Sequence, residues 1–149
     1  MAESMGAVRP IVEHIRANAT GITEVSTSKT LAGYKTNQDV PLGSVYVFPG
    51  ASKVRDHEGD DNLQTEVEIY KTAICVSHLD DPDESEWWTA DEKAGVILRQ
   101  LQTLLVGWRP APGYHSIKYV GREEPFYDEY GYAEFPALWE TGFLITGNY

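Results

Sequence analysis

The stretch "NLQTEVEIYKTAICVSH", residues 62–78, decides how the rest of the chain has to be arranged. Its first half alternates, with Leu63, Thr65, Val67 and Ile69 pointing one way and Gln64, Glu66 and Glu68 the other. That is the period-2 pattern of a β-strand. Its second half is apolar on both faces, with Tyr70, Ile74, Cys75 and Val76, as expected of a strand buried within a sheet. A strand half exposed at one end and buried at the other projects beyond the body of its sheet. Just upstream, "SVYVFPG" (44–50) is a short apolar run that reads as a central strand buried on both sides, and "ASKVRDHEGDD" (51–61) is polar and turn-rich. Residues 44–78 are therefore expected to form a long β-hairpin.

Working outward, Val8, Ile11, Val12 and Ile15 recur at helical spacing and predict a helix from about Ser4 or Ala7 to Asn18, with Pro10 tolerable near its start. Residues 22–31, "ITEVSTSKTL", are β-branched and read as an edge strand, and "AGYKTNQDVPLG" (32–43) reads as a loop. Ala94, Ile97, Leu98, Leu101, Leu104 and Leu105 form the apolar stripe of a second helix. Gly107 is its natural stop, and Thr89 with Glu92 forms a T-x-x-E capping box at its start. Residues 114–123 read as a strand, 125–136 as a Tyr- and Gly-rich loop, and 137–147 as a final strand with Trp139, Phe143 and Ile145 on one face. The expected fold is α+β, a mostly antiparallel β-sheet with two α-helices packed on one face. With 149 residues and no internal linker or repeat, residues 1–149 read as a single domain.

The chain carries 12 basic and 23 acidic residues, a formal net charge of −11. Such a surface repels phosphates, because affinity for DNA rests on Lys and Arg neutralising them, so specific DNA binding is not expected. No apolar run approaches the roughly 18–20 residues that span a bilayer, and the N-terminus lacks the features of a secretory signal. The single cysteine, Cys75, excludes an internal disulfide.

Catalytic and metal motifs are missing from the sequence. There is no H-E-x-x-H, C-x-x-C, G-x-S-x-G or P-loop, and His14, His57, His78 and His115 fall on four different elements. Neighbouring carboxylates such as Glu123 and Glu124, or Asp128 and Glu129, point to opposite faces if extended and are poorly placed to flank one bond. The acidic stretch "HLDDPDESEWWTADE" (78–92) lacks the glycine and closing bidentate Glu of a calcium loop. No cofactor and no metal are expected, and neither is an enzyme. What stands out is aromatic and acidic material in loops. Phe126, Tyr127, Tyr130, Tyr132 and Phe135 crowd one segment. Two readings stay open for it: folding over the core, or docking on a neighbouring subunit, where aromatic residues supply rigid contact area.

The order "IVEHIRAN", "VPLGSVYVFPGAS", "LQTEVEIYKTAICVSH", "AGVILRQLQTLLVGWRP" and "ALWETGFLIT" resembles the tail terminator (tail completion) proteins of long-tailed bacteriophages along nearly the whole chain. The resemblance implies a structural virion protein at the head-proximal end of the tail, made in the host bacterial cytoplasm. It would form a homo-hexameric ring on the tail tube protein, stop tube polymerisation and offer a surface to the head–tail connector protein. Genome DNA would pass through the lumen without specific binding, and no membrane is involved. Candidate contact residues are Lys53, Arg55, Asp56, Asp60 and Asp61 in the hairpin, and Asp80, Asp81, Asp83, Glu84 and Trp87 in the acidic stretch. Phe126, Tyr127, Tyr130 and Tyr132 in the aromatic segment complete the set. The alternatives are a head–tail connector or neck protein and, from another class, a small ligand-binding domain or hydrolase.

Overall fold

A computed structural model describes residues 2–78 and 89–147, without the side chains of Asp60, Asp61 and Thr89. The Asp80, Asp81, Asp83, Glu84 and Trp87 positions, and the capping box that begins at Thr89, therefore lie outside the described residues. The described elements are α1 (Val8–Asn18), β1 (Val25–Thr27), α2 (Ser28–Ala32), β2 (Ser44–His57), β3 (Asp60–Ser77), α3 (Thr89–Leu105), β4 (Lys118–Arg122), β5 (Phe126–Tyr127) and β6 (Tyr132–Thr146). The strands make one sheet in the order β1-β2-β3-β6-β4, with β5 also paired to β6. Every pairing is antiparallel except β1 with β2, which is parallel.

The helices lie on one face, as their apolar stripes require. Ile11, Val12 and Ile15 of α1 and Ala94, Ile97, Leu101 and Leu105 of α3 share one core with Val45, Val47, Tyr70, Ile74, Val76, Ala133, Ala137 and Trp139. The tryptophan closes its polar account inside that core, donating from Nε1 to the Thr72 hydroxyl at 2.9 Å. Outside the helix stripe, the His14 ring stacks on Trp108 at 4.0 Å and donates from Nε2 to the Leu104 carbonyl, which joins the end of α3 to α1. Gly107, at φ 83, turns the chain out of α3.

A smaller cluster of Val40, Tyr46, Cys75 and Tyr132 occupies one end of the opposite face, with Leu31, Tyr34 and Phe48 packed on it. Glu24 anchors this end by accepting hydrogen bonds from the Tyr46 hydroxyl at 2.8 Å and the Tyr34 hydroxyl at 2.9 Å.

Four expectations change. The edge strand expected over 22–31 is only Val25–Thr27, because Ser28–Ala32 turns into α2. The polar stretch 51–61, read as turn-rich, is strand over 51–57, where it continues β2, since β3 offers it a ladder out to Gln64. The 125–136 segment is a hairpin of β5 and the first part of β6, not a loop, for the same reason: β3 pairs with β6 as far as Ser77 with Tyr132. The strand expected over 114–123 is β4 alone, with Tyr114 contributing a single bridge to Phe143.

Candidate functional site

β3 runs 18 residues, about 60 Å at the usual rise of an extended chain, and the helices cover only part of it. From Gly50 to Asp56 every residue of β2 is exposed. The first part of β3, paired to that segment on one side and to the end of β6 on the other, forms a three-stranded tongue. Gly59, at φ 81, makes the turn at its tip. Residues opposite each other in an antiparallel pair share a face, so the register gives the composition of each side.

On the face away from the helices, four rows cross the tongue and its root. They are Phe48, Lys71 and Leu138; Ile69, Glu140 and Lys118; Lys53, Val67 and Gly142; and Arg55, Thr65 and Leu144. The Lys71 ammonium lies 4.5 Å from the Phe48 ring centroid. Val67, Ile69 and Val120 floor a groove of about 440 Å³ that Lys53, Arg55 and Glu140 border. Val120 and Leu144 are half exposed.

The helix-side face of the tongue is acidic and covered by the N-terminal segment. Glu66 accepts from the Ser4 hydroxyl at 2.7 Å, and Glu68 accepts from the Met5 N–H at 2.7 Å and the Tyr70 hydroxyl at 2.8 Å. Glu68 is buried. Burial pushes its carboxyl above the ordinary glutamate range; the Met5 and Tyr70 donors pull against that, and the neighbouring Glu66 adds to it. Tyr114 fastens the same segment, donating to the Glu3 carbonyl and accepting from the Glu3 N–H at 3.2 Å. Met5 takes a positive φ of 61 to make these bonds. This latch has no signature in the sequence beyond the regular alternation of β3.

At the other end of the sheet the β5–β6 hairpin forms a knob. Asp128 organises its turn by accepting from the Tyr130 and Tyr132 N–H groups at 2.9 and 2.8 Å, and from the Asn37 side chain at 3.2 Å. His78 donates from Nε2 to the Asp128 carbonyl at 2.7 Å. Burial works to raise the Asp128 pKa, but these donors outweigh it and hold the carboxyl below its ordinary value. Phe126, Tyr127 and Tyr130 are 52%, 48% and 63% exposed, and Glu123, Glu124 and Glu129 around them are exposed as well. Tyr132 parts from this group. It is buried, its hydroxyl donating to Glu134 and lying 3.2 Å from the Cys75 sulfur.

The candidate residues thus divide between two ends of the molecule. Lys53, Arg55 and Asp56 sit on the tongue, and the backbone of Asp60 and Asp61 opens β3 at its tip. Phe126, Tyr127 and Tyr130 sit on the knob. Val67 on the tongue and Val76 beside the knob are nine residues apart on one strand, about 30 Å.

Among the described residues no group of three or more His, Cys, Asp or Glu side chains is placed to hold a metal, and no helix is long and apolar enough to cross a membrane. Burial pushes the Cys75 thiol up to about 12, which keeps it protonated and a poor nucleophile.

The model of the phage tail terminator protein family matches residues 1–149, the whole chain. No curated protein matches the sequence. Among solved structures, a chain from the "Virion of native gene transfer agent (GTA) particle" covers 99% of this chain and 100% of its own, with a TM-score of 0.59 and 15% identity. A second solved chain aligns over 99% of each at a TM-score of 0.44 and 14% identity.

Proposed function

The chain belongs to the phage tail terminator family and is a structural component of the phage tail; from that premise we propose that it caps the tail tube. In this reading the subunits close into a hexameric ring on the last layer of tube protein, tube polymerisation stops there, and the exposed side of the ring receives the head–tail connector.

The full-length family match carries the reading, and the physical chemistry of the chain agrees with it. A closed ring of identical subunits uses a heterologous, head-to-tail contact, which needs two different patches on each subunit. The tongue and the knob are two such patches. The net charge of −11 suits a conduit through which DNA moves without sticking, because like charges keep the phosphate backbone off the wall. The fold likeness to a chain of a gene transfer agent virion fits a place in a tail-like particle.

Light scattering coupled to size exclusion tests the proposal, with purified tail tubes and DNA-filled heads added separately. A hexameric species, or a monomer that converts to a ring on tubes, supports tube capping. Binding to heads with indifference to tubes transfers the protein to the connector side of the joint. A monomer that ignores both rejects the reading.

A further inference from the structure

The open face of the tongue is basic and apolar on a chain whose net charge is −11. Its four rows hold Lys53, Arg55, Lys71 and Lys118 against a single acid, Glu140, around a floor of Val67, Ile69 and Val120. The knob has the opposite composition. Residues 123–130, "EEPFYDEY", contain four acids, no base and three aromatic side chains, each of the three about half exposed. Phe126 pairs with Glu134 on the face away from the helices, whereas Tyr127 pairs with Ala133 on the helix side and its hydroxyl donates to Asp91 at 3.0 Å. An apolar groove with a cationic border therefore fits Phe126 and its acidic flanks, since burial of the ring supplies affinity and the charges supply orientation.

The two patches cannot meet within one chain. Val67 and the Val76 end of β3 are nine residues apart on one ladder, about 30 Å. Even the near edge of the groove, at Val120, meets β6 about four positions from the Phe126 pairing, roughly 13 Å of paired strand that does not fold back on itself. We infer that the occupant of the tongue groove is the Phe126–Tyr130 knob of a second copy of this chain, and that this contact is the repeating junction of the ring. The inference rests on the ring reading and adds to it which surfaces join. Asp128 serves the contact from within: by accepting the Tyr130 and Tyr132 N–H groups it shapes the turn that carries the aromatic side chains.

A charge swap tests the junction. The tongue variant K53E/R55E and the knob variant E123K/E124K both alter exposed side chains, and circular dichroism with thermal melts confirms that each folds. Each variant alone should weaken ring formation by roughly a hundredfold or more, because like charges then face each other, and the quadruple variant should recover it. A cysteine pair gives a second readout: V120C together with F126C should yield a ladder of covalent oligomers on oxidation, and either alone should not. Cys75 is buried and does not compete.

Three results overturn the inference. If wild type forms rings and the reversals leave them intact, the junction lies elsewhere. If the tongue reversal keeps the ring but abolishes tube binding, the groove belongs to the tube protein. If wild type forms no ring with or without tubes, the ring reading itself fails and the junction fails with it.

Discussion

Glu68 is a carboxylate that burial, not partnership with a cation, has shaped. Its native pKa lies above the ordinary glutamate value of 4.5, so the folded chain holds this proton more tightly than the unfolded one. The stability it contributes is fully present below 4.5 and is lost as pH rises through the raised native value. Wild type should therefore gain stability relative to E68Q as pH falls from neutral toward 4.5, measured as the difference between urea melts; a difference that stays flat across that range contradicts the assignment. Glycine 142 poses a packing constraint on the same strand pair. A Cβ there would stand 2.6 Å from the Glu66 carbonyl oxygen, closer than the ladder between β3 and β6 allows. G142A should cost roughly 1–3 kcal/mol in denaturant melts, the range for overpacking, and an unchanged midpoint would show that the strands can part at no cost. Neither residue announces itself in the sequence, because Glu68 reads as one more wet position in an alternating strand and it is covered by the N-terminal segment, whose Met5 N–H it accepts from 63 residues away.

At the scale of elements, what could be read from the sequence was whatever a segment decides for itself. The apolar stripes of α1 and α3 and the change in pattern along β3 are local signals, and those elements stand where the patterns put them. The segments that the sequence marks as turn-rich, 51–57, and as loop, 132–136, are strands because of a neighbour. The residues of 51–57 are mostly polar and those of 132–136 follow a glycine turn in an aromatic segment, and it is the length of β3, which supplies ladder partners at both of its ends, that makes extension favourable for them. The knob illustrates how such an element is held once formed. Asp128 ties its own hairpin turn, with Asn37 and His78 bracing it from neighbouring segments. D128A should raise the amide exchange rates of Tyr130 and Tyr132 while leaving the exchange of β3 core amides such as Ile74 unchanged. Equal protection in wild type and variant would mean that the strand pairing holds the turn without the carboxylate.

For the whole molecule, the long central strand turns two loops' worth of candidate residues into two ends of a single rigid sheet. Lys53 and Arg55 lie toward one end and Phe126, Tyr127 and Tyr130 at the other, an arrangement that no spacing along the chain discloses, because it depends on register. The most direct test of tube capping is to add the purified protein to tail tube protein while it polymerises, and to measure tube lengths and tube ends by electron microscopy. Capping predicts tubes that stop growing in proportion to the protein added, each carrying extra ring-shaped density at one end. Tubes that grow to the same lengths with bare ends, at any ratio of the two proteins, would contradict it.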